Sequence, residues 1–196
     1  MNTSKIFMQQ QQQIPELSLD DIVNFTLNKQ PGNVIEIGCG GGDTSIHLLR
    51  SCKKFNRKYI AIDPFEDNWN NIPDGYGKPY PYSVWKDKVK HFQDRIVHFK
   101  LPSQDPSLYE LLEKQKPFAF AFVDGIQYKQ AVLSDINLLV KLNCAVICLD
   151  DYDRNTELSQ VPDAVNEFIE QNPKFKVVAE SSTVHRRKAY IVDSSW

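Results

Sequence analysis

Four places in the chain carry residues suited to ligand chemistry. The first is Glu36 with Gly38, Gly40, Gly41 and Gly42, in the stretch NVIEIGCGGGD. Glycines in such a turn let the backbone adopt positive φ and let a ligand approach closely. A helix opening at Asp43 and Thr44 would add unpaired N–H groups for an anionic group. The second place is Asp63, which lies 21 residues after Gly42. A carboxylate there can accept two hydrogen bonds from the cis-diol of a ribose, or it can cap the turn before Pro64. The third is Asp124, followed by Gly125, and the fourth is the run Asp150, Asp151, Tyr152, Asp153. Carboxylates that converge repel one another unless a cation sits among them. An all-oxygen ligand set favours a hard divalent ion such as Mg²⁺, Mn²⁺ or Ca²⁺. Simple strand-end capping is the alternative.

The elements that must position these residues follow from periodicity. Val34, Ile35 and Ile37 form an apolar run of the size of a buried parallel strand, and Ser45–Cys52 continues as an amphipathic helix. Tyr59–Ile62 is a second strand and delivers Asp63. Ile96–Leu101 is a third, followed by the turn Pro102-Ser103-Gln104-Asp105. Pro117–Val123 is a fourth, ending in Asp124, and Cys144–Leu149 a fifth, ending in Asp150. Helices are predicted from the Ser18/Asp21 start signal to Asn28, and over Tyr82–Gln93, Leu108–Lys114, Gln127–Lys141 and Val161 to about Gln171. Phe175–Ala179 and Ala189–Val192 read as two last strands. Strands alternating with helices make an α/β sheet, and ligands bind at the carboxyl edge of such a sheet.

A dinucleotide site would read G-x-G-x-x-G/A. Counted from Gly38, the third position falls on Asp43 and the pattern fails. The pattern Glu36-x-Gly38-x-Gly40-x-Gly42 instead resembles the first motif of class I S-adenosylmethionine (SAM)-dependent methyltransferases. That resemblance implies a Rossmann-like three-layer α/β/α sandwich, with a seven-stranded, mostly parallel sheet whose last strand is antiparallel. It also implies SAM as cofactor. Glu36 and the glycines Gly38, Gly40 and Gly42 would hold its amino-acid part and Asp63 its ribose, with Ser103 and Gln104 at the adenine edge.

The segment FVDGIQYKQAVLSDINLL…CAVICLDDY further resembles the metal-dependent small-molecule O-methyltransferases, of the catechol and the macrolide or aminocoumarin sugar types. By position, this resemblance makes Asp124, Asp150 and Asp151 ligands of Mg²⁺ or a similar cation. It also puts Asp124 at the cofactor and among the catalytic residues. One departure stands out. Where the sugar-methylating relatives carry an acidic residue and a histidine, this chain has Ile126 and Gln127, neither of which takes a proton at neutral pH. Asp153, in the loop after Asp150, is the replacement base to consider.

The remaining composition narrows the function classes. The chain has 196 residues and a net charge of −2, which suits one globular domain and gives no general nucleic-acid or membrane surface. No apolar run is long enough to span a bilayer. The four cysteines form no C-x-x-C pair and read as buried thiols of a reducing, cytoplasmic compartment. Residues 1–15, with the glutamine run Gln9–Gln13, read as a flexible tail, and 16–196 as the methyltransferase domain. The aromatic and proline-rich stretch 65–83 within it is either a lid or a surface insertion. The basic run His185-Arg186-Arg187-Lys188 reads as an exposed hairpin segment. The reading is a methyltransferase acting on a small-molecule hydroxyl, compatible with a homo-oligomer. Its rivals are a degenerate fold that binds SAM without turnover and a nicotinamide-dependent oxidoreductase.

Overall fold

The computed structural model describes residues 18–65, 79–152, 160–183 and 186–194. The proposed tail over 1–15, residues 66–78 of the 65–83 stretch, Asp153 and His185 lie outside the described residues.

Helix α1 (Leu19–Lys29) begins at a reciprocal cap. The Ser18 hydroxyl accepts from the Asp21 N–H, and the Asp21 carboxylate accepts from the Ser18 N–H. The chain then runs β1 (Asn33–Ile37), α2 (Asp43–Phe55), β2 (Tyr59–Ile62), α3 (Tyr82–Val89), β3 (Ile96–Phe99), α4 (Leu108–Glu113) and β4 (Phe118–Val123). It continues through α5 (Lys129–Lys141), β5 (Val146–Leu149), α6 (Val161–Gln171), β6 (Phe175–Thr183) and β7 (Arg186–Asp193). The strands form one sheet of seven in the order β3-β2-β1-β4-β5-β7-β6. Pairing is parallel from β3 to β5, and β7 runs antiparallel to both β5 and β6. The expected seven-stranded sheet with an antiparallel last strand is therefore present.

Period-two alternation sends side chains to two separate cores. Ile35, Ile37, Ile60, Ile62, Ile147 and Leu149 pack with residues of α4, α5 and α6 on one face. Val34, Tyr59, Phe120, Phe122, Cys148 and Tyr190 pack with α1, α2 and α3 on the other. These are the three layers. Strand order reverses direction at β1, whose neighbours are β2 and β4. The crevice above the β1/β4 junction is thus the topological switch point where ligands of open α/β sheets bind.

Several boundaries differ from the periodicity reading. The helix expected over Tyr82–Gln93 stops at Val89. A 3₁₀ segment, Lys90–Arg95, follows because Phe92 leaves helical geometry with φ −124° and ψ 15°. Helix α5 starts at Lys129 rather than Gln127, since Tyr128 is extended at ψ 142°. The final hairpin strands extend beyond their apolar cores, pairing polar residues out to Thr183 and Arg186. All four cysteines are buried and unpaired, and burial pushes the thiols of Cys52 and Cys144 up to about 12, which leaves them inert. No helix among the described residues is long and apolar enough to cross a membrane.

Candidate active site

The site is built on one row of backbone hydrogen bonds. Each central ladder runs one residue past its strand: Gly38 N–H donates to Ile62 O, Asp63 to Phe99 O, Asp124 to Ile37 O and Asp150 to Val123 O, at 2.8–3.2 Å. Gly38, Asp63, Asp124 and Asp150 therefore stand side by side along the carboxyl edge. Gly38 has φ +84°, and a Cβ on it would lie 2.2 Å from the Asp124 carbonyl oxygen. Only glycine lets β1 and β4 close at this point. Gly42, also at positive φ, is the N-cap of α2 and supplies no side-chain cap, so the first N–H groups of α2 are left for other partners.

Above this row lies a cavity of about 400 Å³ walled by the turns after β1, β2, β3 and β4. Glu36, Gly38, Gly40, Asp63, Ser103, Gln104 and Asp124, named as cofactor residues from the sequence, all line it, and Gly42 stands behind as the helix cap. Ile126 and the backbone of Gly125 close it on the β4 side. Pro79 and Tyr80, the described end of the 65–83 stretch, also line it. The Tyr80 ring lies over the glycine turn, 3.1 Å from where a Gly41 Cβ would be.

Glu36 is 1% exposed and sits in a polar network on the α2 face. Its Oε2 accepts from the Tyr59 hydroxyl and, at 2.7 Å, from Ser45 Oγ; Trp85 Nε1–H in turn donates to Ser45 Oγ at 3.1 Å. Its Oε1 is buried and has no hydrogen-bond partner. Burial raises the Glu36 carboxyl to about 8 against the pull of Tyr59 and Ser45, and the charges of Asp124 and Asp63 raise it further. Asp63 is held differently. Its Oδ2 accepts from Cys39 N–H at 2.7 Å and Gly40 N–H at 3.0 Å, and its Oδ1 from Phe65 N–H at 2.6 Å. The carboxylate thus ties the β1 turn to the β2 turn. Burial raises it, and these three donors oppose the rise. At the mouth, Asp43 is paired with Lys88 of α3.

The β4–β5 side departs from expectation. Asp150 is 5% exposed, and its Oδ1 accepts from Lys188 Nζ at 2.5 Å and from Asp151 N–H at 2.9 Å. Asp151 Oδ2 accepts from Gln127 Nε2 at 2.6 Å. Neither Asp150 nor Asp151 lines the cavity with Asp124. No group of three His, Cys, Asp or Glu among the described residues could hold a metal ion. In this arrangement Asp150 is paired with Lys188 and Asp151 with Gln127, while Asp124 alone of the three faces the cavity. The basic run, expected to be exposed, is corrected at Lys188. Arg187 is exposed, but Lys188 turns inward and lies 5.3 Å from the Phe122 ring. The β5/β7 register, Cys148↔Tyr190 and Leu149↔Ala189, carried one step further sets Lys188 opposite Asp150.

Tyr59, Ser45, Trp85 and Lys188 were not picked out from the sequence. A signal existed for two of them. Tyr59 is a phenol at the start of a wholly buried strand. Lys188 shares the period-two face of Tyr190 and Val192, both core residues.

A model of a family described as a methyltransferase domain matches residues 35–152, the segment that holds all four carboxyl-edge turns. The chain belongs to this methyltransferase family. The expectation drawn from the glycine motif holds at that level. No curated protein matches the sequence. Among solved structures, the fold is similar to the O-methyltransferase TomG from Streptomyces achromogenes, with TM-score 0.63 and 14% identity over 91% of this chain and 83% of that one. It is also similar to a Bacillus cereus O-methyltransferase, with TM-score 0.60 and 16% identity over 91% and 84% of the two chains. The calicheamicin methyltransferase CalS11 gives TM-score 0.65 and 14% identity over 88% and 76%. At such identities these likenesses speak to the fold, and they support the three-layer sandwich of this methyltransferase.

Proposed function

We propose that this methyltransferase transfers a methyl group from SAM to a hydroxyl oxygen of a small molecule. The observation that carries the reading is the buried, unpartnered Oε1 of Glu36 in the cavity wall. A buried carboxylate oxygen without a donor is costly, and the ammonium of a bound amino-acid moiety would satisfy it. The free N–H groups at the start of α2 suit the carboxylate of the same moiety. Three of the roughly four acceptor sites of Asp63 are taken by backbone N–H groups, which leaves one on Oδ1 for a ribose hydroxyl, and the turn Pro102–Gln104 also lines the cavity and is assigned the base. SAM- and SAH-bound structures among the similar folds, TomG and the B. cereus enzyme, agree with that choice of cofactor, and their titles name O-methyltransferases.

When bound, SAM supplies an electrophilic methyl on a sulfonium. This chain's part is to hold the acceptor oxygen in line with it, exclude water and receive the hydroxyl proton. Ile126 and Tyr80 give the cavity apolar lining. Asp124, the cavity carboxylate at the end of β4, is assigned the proton. No step runs through a metal.

The test is transfer of labelled methyl from SAM to a panel of phenols and sugar hydroxyls, with Mg²⁺ and with chelator. Transfer to oxygen that survives chelation is expected. Transfer only to nitrogen or sulfur acceptors would overturn the hydroxyl reading, and transfer abolished by chelation would overturn the metal-free account.

A further inference from the structure

Asp135 of α5 is fully buried, with 0% exposure, behind the β3 turn. One oxygen, Oδ1, accepts from Gln104 Nε2 at 3.3 Å, and the same nitrogen lies 2.7 Å from Ser103 Oγ. The other oxygen, Oδ2, is buried with no partner and points at Gly125, where an added Cβ would lie 4.0 Å from it. Burial raises the Asp135 carboxyl to about 7, and bonds from Ser103 and Gln104 oppose the rise. Asp135 Oδ1 is the acceptor of this pair, so the Gln104 amide turns its nitrogen inward. Its carbonyl oxygen is then the amide end left for the cavity that Gln104 lines.

We infer that Asp135 is a positioning residue that fixes the Gln104 amide with its oxygen toward the ligand, and so makes the site select a base edge that donates a hydrogen bond. This rests on the SAM reading above, which places the base at Pro102–Gln104. Adenine presents a donating exocyclic amine to such an acceptor. Hypoxanthine presents a carbonyl in its place and would set two acceptors against each other. A site built around one hydrogen bond rejects the analogue that cannot make it, because the buried partner is left unpaired.

Calorimetric titrations of S-adenosylhomocysteine and S-inosylhomocysteine into the wild type, Asp135→Asn and Gln104→Leu test this without turnover. The wild type is expected to prefer the adenosyl ligand by about 100-fold, a margin of about two tenfold steps. Asp135→Asn can accept or donate, so it frees the amide to turn over. The preference should then fall to about tenfold or less, with inosyl affinity rising as adenosyl affinity falls. Gln104→Leu should lose the preference and leave the inosyl affinity near the wild-type value. Should Asp135→Asn not fold, Ser103→Ala, which removes the second contact on the amide nitrogen, is expected to lower the preference by about threefold. An unchanged preference in a folded Asp135→Asn, or equal weakening of both ligands, would overturn the inference while leaving SAM binding intact. Failure of the wild type to bind either ligand would instead overturn the SAM reading.

Discussion

On the β1–β2 half of the carboxyl edge, Glu36 and Asp63 are held by neutral donors: two hydroxyls for one, three backbone N–H groups for the other. On the β4–β5 half, Asp150 is held by an ammonium, Lys188 Nζ. Neutral donors orient a carboxylate without cancelling its charge, whereas an ammonium cancels it. The first half therefore still calls for a cation, and a ligand bearing an ammonium supplies one. The second half brings an ammonium of its own to Asp150. The two halves meet at Gly38 and Asp124, which touch backbone to backbone.

The largest expected effect comes from forcing the halves apart. Gly38→Ala puts a Cβ 2.2 Å from the Asp124 carbonyl oxygen at φ +84°. It should cost about 3 kcal/mol or more from clash and strain together, read by denaturant unfolding, and abolish SAM binding. A variant with wild-type stability would show that β1 and β4 need not close there.

Next is Lys188→Met, which takes the ammonium away from the buried Asp150 and should destabilise by about 3 kcal/mol. It also makes the second half resemble the first. Thermal unfolding of this variant should shift upward on adding Mg²⁺, while the wild type should not shift. A wild-type shift of equal size would mean that Lys188 does not take the cation's place.

A smaller, graded effect belongs to Glu36. Its carboxyl titrates near 8 in the folded protein and near 4.5 when exposed. The folded state thus binds more protons than the unfolded chain between these values. Stability should fall as pH rises through that window, by at most about 1.4 kcal/mol per pH unit. Glu36→Gln should lack this slope. Parallel stability profiles for the two proteins from pH 5 to 8 would show that burial does not raise Glu36.

Much of the fold was legible because its signals are local. Tyr59–Ile62 and Val161–Gln171 have the predicted bounds, since each is an apolar pattern cut off by Asp63-Pro64 or opened by Pro162. The hairpin was read short because Glu180–Thr183 and Arg186–Lys188 pair through backbone, and their polar side chains carry no strand period. The cavity wall on the β1–β2 side was legible too, as glycines and a carboxylate at fixed spacing inside one βα unit. The pairing on the other half was not legible, for a physical reason. The partner of Asp150 lies 38 residues away on an antiparallel strand, and only the sheet register brings Lys188 beside it. Gln127, read as a lost catalytic group, instead donates to Asp151.

The most direct test of the account is calorimetric titration of SAM into the chelator-treated wild type at pH 7, in buffers of different ionisation enthalpy. The account predicts micromolar binding with release of close to one proton, because an ammonium on Glu36 draws its carboxyl into the charged form, and loss of that release in Glu36→Gln. Binding without proton release would contradict the role of Glu36, and no binding at all would contradict the SAM site.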